Sequence, residues 1–122
     1  MARILLVEDD PMLLDIYRTK LQKGGFEVLV ANEGEDAIRV AEREVPDAII
    51  LDLVLPNRDG WEVLETVRKK DALNKSKIIV LSNLGQKEEV ERGLKLGADQ
   101  YLIKAHYTPS QVVEELQKLL SS

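Results

Sequence analysis

Apolar residues in this chain come in five short runs, at about 3–8, 26–31, 47–52, 77–82 and 100–103, of strand length and rich in Ile, Val and Leu. After each run, apolar positions recur every three or four residues, over about 11–23, 35–44, 60–70, 86–96 and 109–120. The alternation predicts five strands, each followed by a helix. That is an α/β fold of (βα)5 type, a parallel sheet wound with helices on both faces. Runs such as Ile4-Leu5-Leu6-Val7 and Ala48-Ile49-Ile50-Leu51 show no polar alternation, as strands covered on both sides require. The helices instead carry one stripe each. Leu13, Leu14, Tyr17 and Leu21 align in the first, and Val112, Val113, Leu116, Leu119 and Leu120 in the last.

The residues between the runs agree. Asp10-Pro11 reads as a helix N-cap followed by proline at the first helical position. Thr108-Pro109-Ser110-Gln111 reads as a capping box. Gly24-Gly25 and Gly97 suit helix exits, either Asn57 or Asp59 suits the cap of the third helix, and Asp71 to Lys77 reads as a polar loop.

A length of 122 residues fits a single domain, residues 1–122, with one core. The net charge of −5 and pI near 5.0 weigh against direct nucleic-acid binding, which needs a basic face. Without cysteine there is no disulfide framework and no thiol chemistry, which fits a cytoplasmic location. No signal peptide and no bilayer-spanning run is expected, because Arg3 is followed by only four apolar residues before Glu8.

The chemistry gathers where strands end. Glu8 and Asp9 close the first run, Asp52 the third, Ser82 the fourth and Lys104 the fifth. In a parallel sheet these exits share one edge, where open α/β folds build their sites. Acids crowded there repel by up to about 4 kcal/mol per pair at 4 Å and an effective dielectric near 20. A bound cation removes that cost, and ligands that are all oxygen point to Mg2+, Mn2+ or a similar hard ion. Asp10 is explained as a cap. Asp52, between apolar neighbours at a buried strand end, suits a ligand or nucleophile better than a turn. Lys104 at the same edge suits pairing with Asp52 or holding a phosphoryl oxygen. Ser82 by spacing alone is a strand-end hydroxyl. His106 reads as a surface loop residue, Tyr101 as an edge-strand aromatic, and Lys87 to Arg92 as a solvated helix face with i,i+4 pairs.

These stretches together resemble the receiver domain of two-component response regulators, in the single-domain form of chemotaxis regulators. The resemblance rests on Val7-Glu8-Asp9-Asp10, Leu51-Asp52 with Leu55-Pro56 and Asp59-Gly60, Val80-Leu81-Ser82, and Gly97-Ala98-Asp99 with Tyr101-Leu102-Ile103-Lys104. It implies a flavodoxin-like strand order of 2-1-3-4-5. It also implies that Asp52 accepts a phosphoryl group from a sensor histidine kinase or phosphotransfer protein. Glu8, Asp9, Asp52 and the backbone carbonyl of Val54 would bind Mg2+ or Mn2+. Lys104 and Ser82 would contact the phosphoryl group. Ser82 and Tyr101 would switch the face formed by the fourth helix, fifth strand and fifth helix. The output would be a downstream protein, without direct nucleic-acid or membrane contact, from a monomer or a phosphorylation-dependent homodimer. The role is stoichiometric acceptance, not enzymatic turnover.

Three departures from the family pattern matter. Ala105 stands where a cis proline is usual, and a cis bond before a non-proline costs about 2.5–4 kcal/mol. Either a trans loop that re-aims Lys104 or a strained cis bond follows. Asn83 replaces a small residue and is expected to slow labelling by small phosphodonors. Val54 and Leu84 offer no hydrogen bond to an attacking water, so a long-lived acyl phosphate is expected. Two alternatives remain: a pseudo-receiver that acts without phosphorylation, and a small Mg2+-dependent phosphatase. The second lacks an acid two residues past Asp52, where Val54 stands. A nucleotide or flavin module would need a glycine-rich loop where Asp9-Asp10-Pro11 stands.

Overall fold

The computed structural model describes residues 1–121. The elements are β1 (Arg3–Val7), α1 (Pro11–Lys23), β2 (Glu27–Ala31), α2 (Gly34–Glu44), β3 (Ala48–Leu51), α3 (Gly60–Arg68), β4 (Lys77–Ser82), α4 (Lys87–Lys95), β5 (Gln100–Ile103) and α5 (Pro109–Ser121). All strand pairs are parallel, in the order β2-β1-β3-β4-β5. This is the flavodoxin-like arrangement expected from the sequence.

Because strand side chains alternate in direction, each central strand feeds two cores. Leu5, Val7, Ile49, Leu51, Ile78 and Val80 pack under α2 and α3 with Ile38, Val63, Leu64 and Val67. Ile4, Leu6, Ile50, Ile79 and Leu81 pack under α1 and α5 with Tyr17, Leu21, Val112 and Leu116. Each large aliphatic buried this way contributes roughly 1.5–3 kcal/mol. This double demand explains why the strands read as unbroken apolar runs. α4 is seated far more lightly, with Gly93 its one buried residue.

The caps form where expected. The Asp10 carboxylate accepts from the Met12 and Leu13 backbone amides, and Asp59 caps α3 by accepting from Trp61. Thr108 and Gln111 exchange both bonds of a capping box. The stretch expected as polar loop at Asp71 to Lys77 differs. Asp71–Leu73 forms a 3-10 turn and Leu73 is fully buried, because one apolar residue in a polar run can anchor the turn to the core. Val45 adopts a left-handed conformation (φ 43°), unusual for a β-branched residue, and its N–H caps α2 at Ala41.

The amino end of the sheet is closed by polar contacts. Arg68 donates to the carbonyls of Gly97 (2.9 Å) and Ser76 (3.1 Å) and to Asp99 (3.0 Å). Asp99 also accepts from the Ile78 amide, Asp47 from the Arg3 amide, and the Ser76 hydroxyl donates to the Pro46 carbonyl.

At the carboxyl end, the loop after β3 is pressed against the start of α3. The Gly60 amide donates to the Leu53 carbonyl at 3.1 Å. A Cβ on residue 60 would lie 2.4 Å from Cα of Leu53, so only glycine fits this close approach.

Candidate functional site

The register places the strand exits side by side. Val7 pairs with Leu51, Leu51 with Val80, and Ser82 with Ile103, so Glu8, Asp52 and Lys104 emerge at one edge. Glu8 and Asp52 are buried, at 2% and 6% exposure. The Lys104 ammonium donates to Glu8 Oε1 at 2.6 Å and to Asp52 Oδ2 at 2.7 Å. The remaining oxygens have backbone partners. Glu8 Oε2 accepts from the Asp10 amide, and Asp52 Oδ1 from the Val54 amide, both at 3.1 Å. Asp9 is exposed, and among the described residues no donor meets its carboxylate.

Glu8, Asp9 and Asp52 each offer a carboxylate oxygen, all within 4.8 Å of one another. They line a pocket of about 430 Å³ with Asp10, Leu13, Val54, Asn83 and Lys104. A groove of similar volume, about 420 Å³, borders Val30, Asp36, Arg39 and Arg43 and holds no such acid cluster. Three acids face one ammonium in the pocket, which leaves negative charge uncompensated. Burial alone would lower the Lys104 ammonium pKa. Its hydrogen bonds to Asp52 and Glu8 outweigh burial, and the net direction is upward, so Lys104 is charged. The donor set is all oxygen, one carboxylate lacks a protein partner, and the pocket has room. These features fit a hard divalent cation.

Lys104 reaches its partners from a trans backbone, since no described peptide bond is cis. Of the two alternatives, the trans loop is the one present and the strained cis bond is corrected. Lys104–His106 forms a 3-10 turn that takes up the direction change, with Ala105 and His106 exposed and Tyr107 packed on the α1–α5 core. Ser82 is fully buried and does not line the pocket, whereas Asn83 does.

The Ser82 hydroxyl accepts from the Leu84 amide at 3.3 Å, while the Tyr101 hydroxyl donates to the Leu84 carbonyl. One residue therefore joins both candidate switch side chains through its backbone. Sequence reasoning missed it, because every residue carries such groups and nothing in the letters marks this one. Tyr101 is half-buried rather than a plain edge aromatic. Burial first, then the charges of Glu89 and Asp52, push its phenol up to about 12. Lys87 pairs with Glu91 at 4.0 Å on the solvated face of α4, and Arg92, also exposed, lies over the Trp61 ring.

The family model for the response regulator receiver domain matches residues 4–117. The chain belongs to the receiver domain family. Its similarity to the alkaline phosphatase synthesis regulator PhoP of Bacillus subtilis is 33% identity over 118 residues, covering 97% of this chain and 48% of that protein. The receiver thus spans about half the length of the curated relatives it matches. Among solved structures, the BeF3-activated receiver domain of Klebsiella pneumoniae RstA superposes with a TM-score of 0.89 at 29% identity, covering 98% of this chain and 99% of that one. A CheY-like receiver of Methanospirillum hungatei gives 0.91 at 29% identity, covering 99% and 94%. Receiver domains are signalling domains of two-component systems rather than turnover enzymes. Among the described residues, no helix is long and apolar enough to cross a membrane.

Proposed function

We propose that this receiver accepts a phosphoryl group on Asp52 from the phosphohistidine of a sensor kinase or phosphotransfer protein. The observation that carries the reading is the Lys104 ammonium, 2.6 Å from Glu8 and 2.7 Å from Asp52 at the mouth of an acid-lined pocket. An Asp52 oxygen attacks phosphorus in line with the leaving imidazole. A P–O bond forms, the P–N bond breaks, and its electron pair leaves with the ring nitrogen. Lys104 has three hydrogens, so it can turn one to a phosphoryl oxygen while keeping Glu8. The Val54 amide holds Asp52 in place throughout.

Glu8, Asp9, Asp52 and the Val54 carbonyl would hold Mg2+ or Mn2+, and the ion would neutralise charge on the phosphoryl oxygens. Val54 leaves no general acid two residues past the acceptor, so the domain is labelled once and does not turn over. The Ser82 hydroxyl, drawn to the phosphoryl group, exchanges its bond with the Leu84 amide for one to phosphate. The Leu84 peptide then passes the change to the face of α4, β5 and α5, with Tyr101 held inward on the Leu84 carbonyl in the phosphorylated arrangement. That face would engage a downstream protein or a second receiver, in the cytoplasm where kinases present phosphohistidine.

The test is intact mass after incubation with acetyl phosphate and Mg2+. Wild type should gain one phosphoryl mass and Asp52→Asn none. Equal labelling of the two would refute the assignment.

A further inference from the structure

The one buried residue of α4, Gly93, lies between two aromatic rings. A Cβ there would stand 2.7 and 2.9 Å from Cδ2 and Cε2 of Tyr101, and 3.8 Å from Cζ3 of Trp61. The Tyr101 ring therefore rests directly on the α4 backbone. One position earlier, the Arg92 guanidinium lies 4.2 Å from the centre of the Trp61 ring. Trp61 is the second residue of α3 and packs, with Tyr101 and Leu84, on the core under α2 and α3. Glu65, one turn further along α3, adds its attraction for Arg92. Two adjacent residues of a lightly seated helix thus meet both the aromatic anchor of α3 and the candidate switch tyrosine.

We infer that Trp61 and Arg92 form a clasp between α3 and α4 that favours the arrangement with Tyr101 on the Leu84 carbonyl, and so sets how readily Asp52 is phosphorylated. The inference rests on the phosphoacceptor reading above. Neither residue touches the pocket, so both are positioning residues. Their influence follows from linkage. Whatever stabilises the arrangement belonging to occupied Asp52 raises affinity for the occupying group by the same factor. A cation–π contact near the surface shifts such an equilibrium by about two- to fivefold. α4 has no deep aliphatic anchor of its own, so a contact of this size is not swamped by core packing.

The experiment is titration of the intact protein with beryllofluoride in Mg2+, for wild type, Arg92→Ala, Arg92→Lys, Trp61→Phe and the double variant Trp61→Phe/Arg92→Ala. Calorimetry reads all five. Trp61 is the only tryptophan, so its emission gives an independent reading in the three proteins that retain it. Arg92→Ala and Trp61→Phe should each weaken binding about two- to fivefold, the double variant no further than either, and Arg92→Lys should recover part of the loss. A purely structural role would lower the melting temperature and leave affinity alone. Unchanged or tighter binding in the single variants, or additive losses in the double, overturns the clasp and leaves the phosphoacceptor reading intact. No binding by wild type overturns both.

Discussion

The two ends of the sheet use charged residues in opposite ways. At the amino end, Arg68, Asp99, Asp47 and Ser76 are matched donor to acceptor, and Arg68 ties the exits of α3 and α4 to the entry of β4. At the carboxyl end, two carboxylates share one ammonium, and the third, Asp9, has no donor among the described residues. The first arrangement spends its polar groups on closure. The second keeps charge in surplus and holds it in place with strands. The difference teaches where this fold stores stability and where it leaves charge uncompensated, as functional sites do.

That contrast can be broken most forcefully from the amino end. Arg68→Ala strips bonds from three carbonyls, those of Asn74, Ser76 and Gly97, and from Asp99, and should cost about 3 kcal/mol of unfolding free energy in urea. The folded variant should still be labelled by acetyl phosphate at the wild-type rate, and a matching loss of labelling would merge the two ends into one unit. Next in size is the lifetime of the acyl phosphate. Val54 and Leu84 offer water no partner, so Val54→Asn with Leu84→Glu should shorten the half-life by about tenfold or more. A decay time course with little change would deny them that role.

A finer probe is Asp9→Asn, which removes surplus charge without breaking any hydrogen bond within the protein. In the absence of metal it should raise the melting temperature by roughly 2 °C. Wild type should gain about 2.7 kcal/mol from Mg2+ at a hundredfold excess over Kd, and the variant clearly less. A drop in melting temperature without Mg2+ would show that the acids are not in surplus.

The smallest effect lies at high pH. Tyr101 titrates at 10.0 when unperturbed and is pushed up to about 12 in the fold. A raised value favours the folded state while the phenol is neutral. That stability is complete below pH 10 and is lost between pH 10 and 12. Solvent screening keeps it below about 1 kcal/mol. Wild type should lose unfolding free energy faster than Tyr101→Phe across that window, and parallel profiles would count against the burial of the phenol.

Much of the carboxyl end was legible in the sequence because strands buried on both faces must be apolar until they leave the sheet. The first polar letters after Val7, Leu51 and Ile103 therefore mark the edge. The amino end was not legible to the same degree. Arg68 reads as one more helix-surface arginine, and its partners at Ser76, Gly97 and Asp99 are brought to it only by tertiary packing. The contact of Arg92 with Trp61 was hidden for the same reason, since the periodicity of α4 places the arginine on the exposed face, where it lies, and cannot show a tryptophan on another helix. Ser82 was placed at the correct exit, yet its complete burial depends on how the chain turns after β4. The aim of Lys104 without proline turned on one 3-10 turn, which no local pattern announced.

Gly60 carries a consequence of its own. With no side chain, it lets the start of α3 touch the Leu53 backbone, so the reach of Asp52 from the sheet is gauged by contact between two main chains. A saturation survey scored only on phosphate uptake should therefore single out residue 60 as intolerant, although it holds no charge, no proton and no ligand.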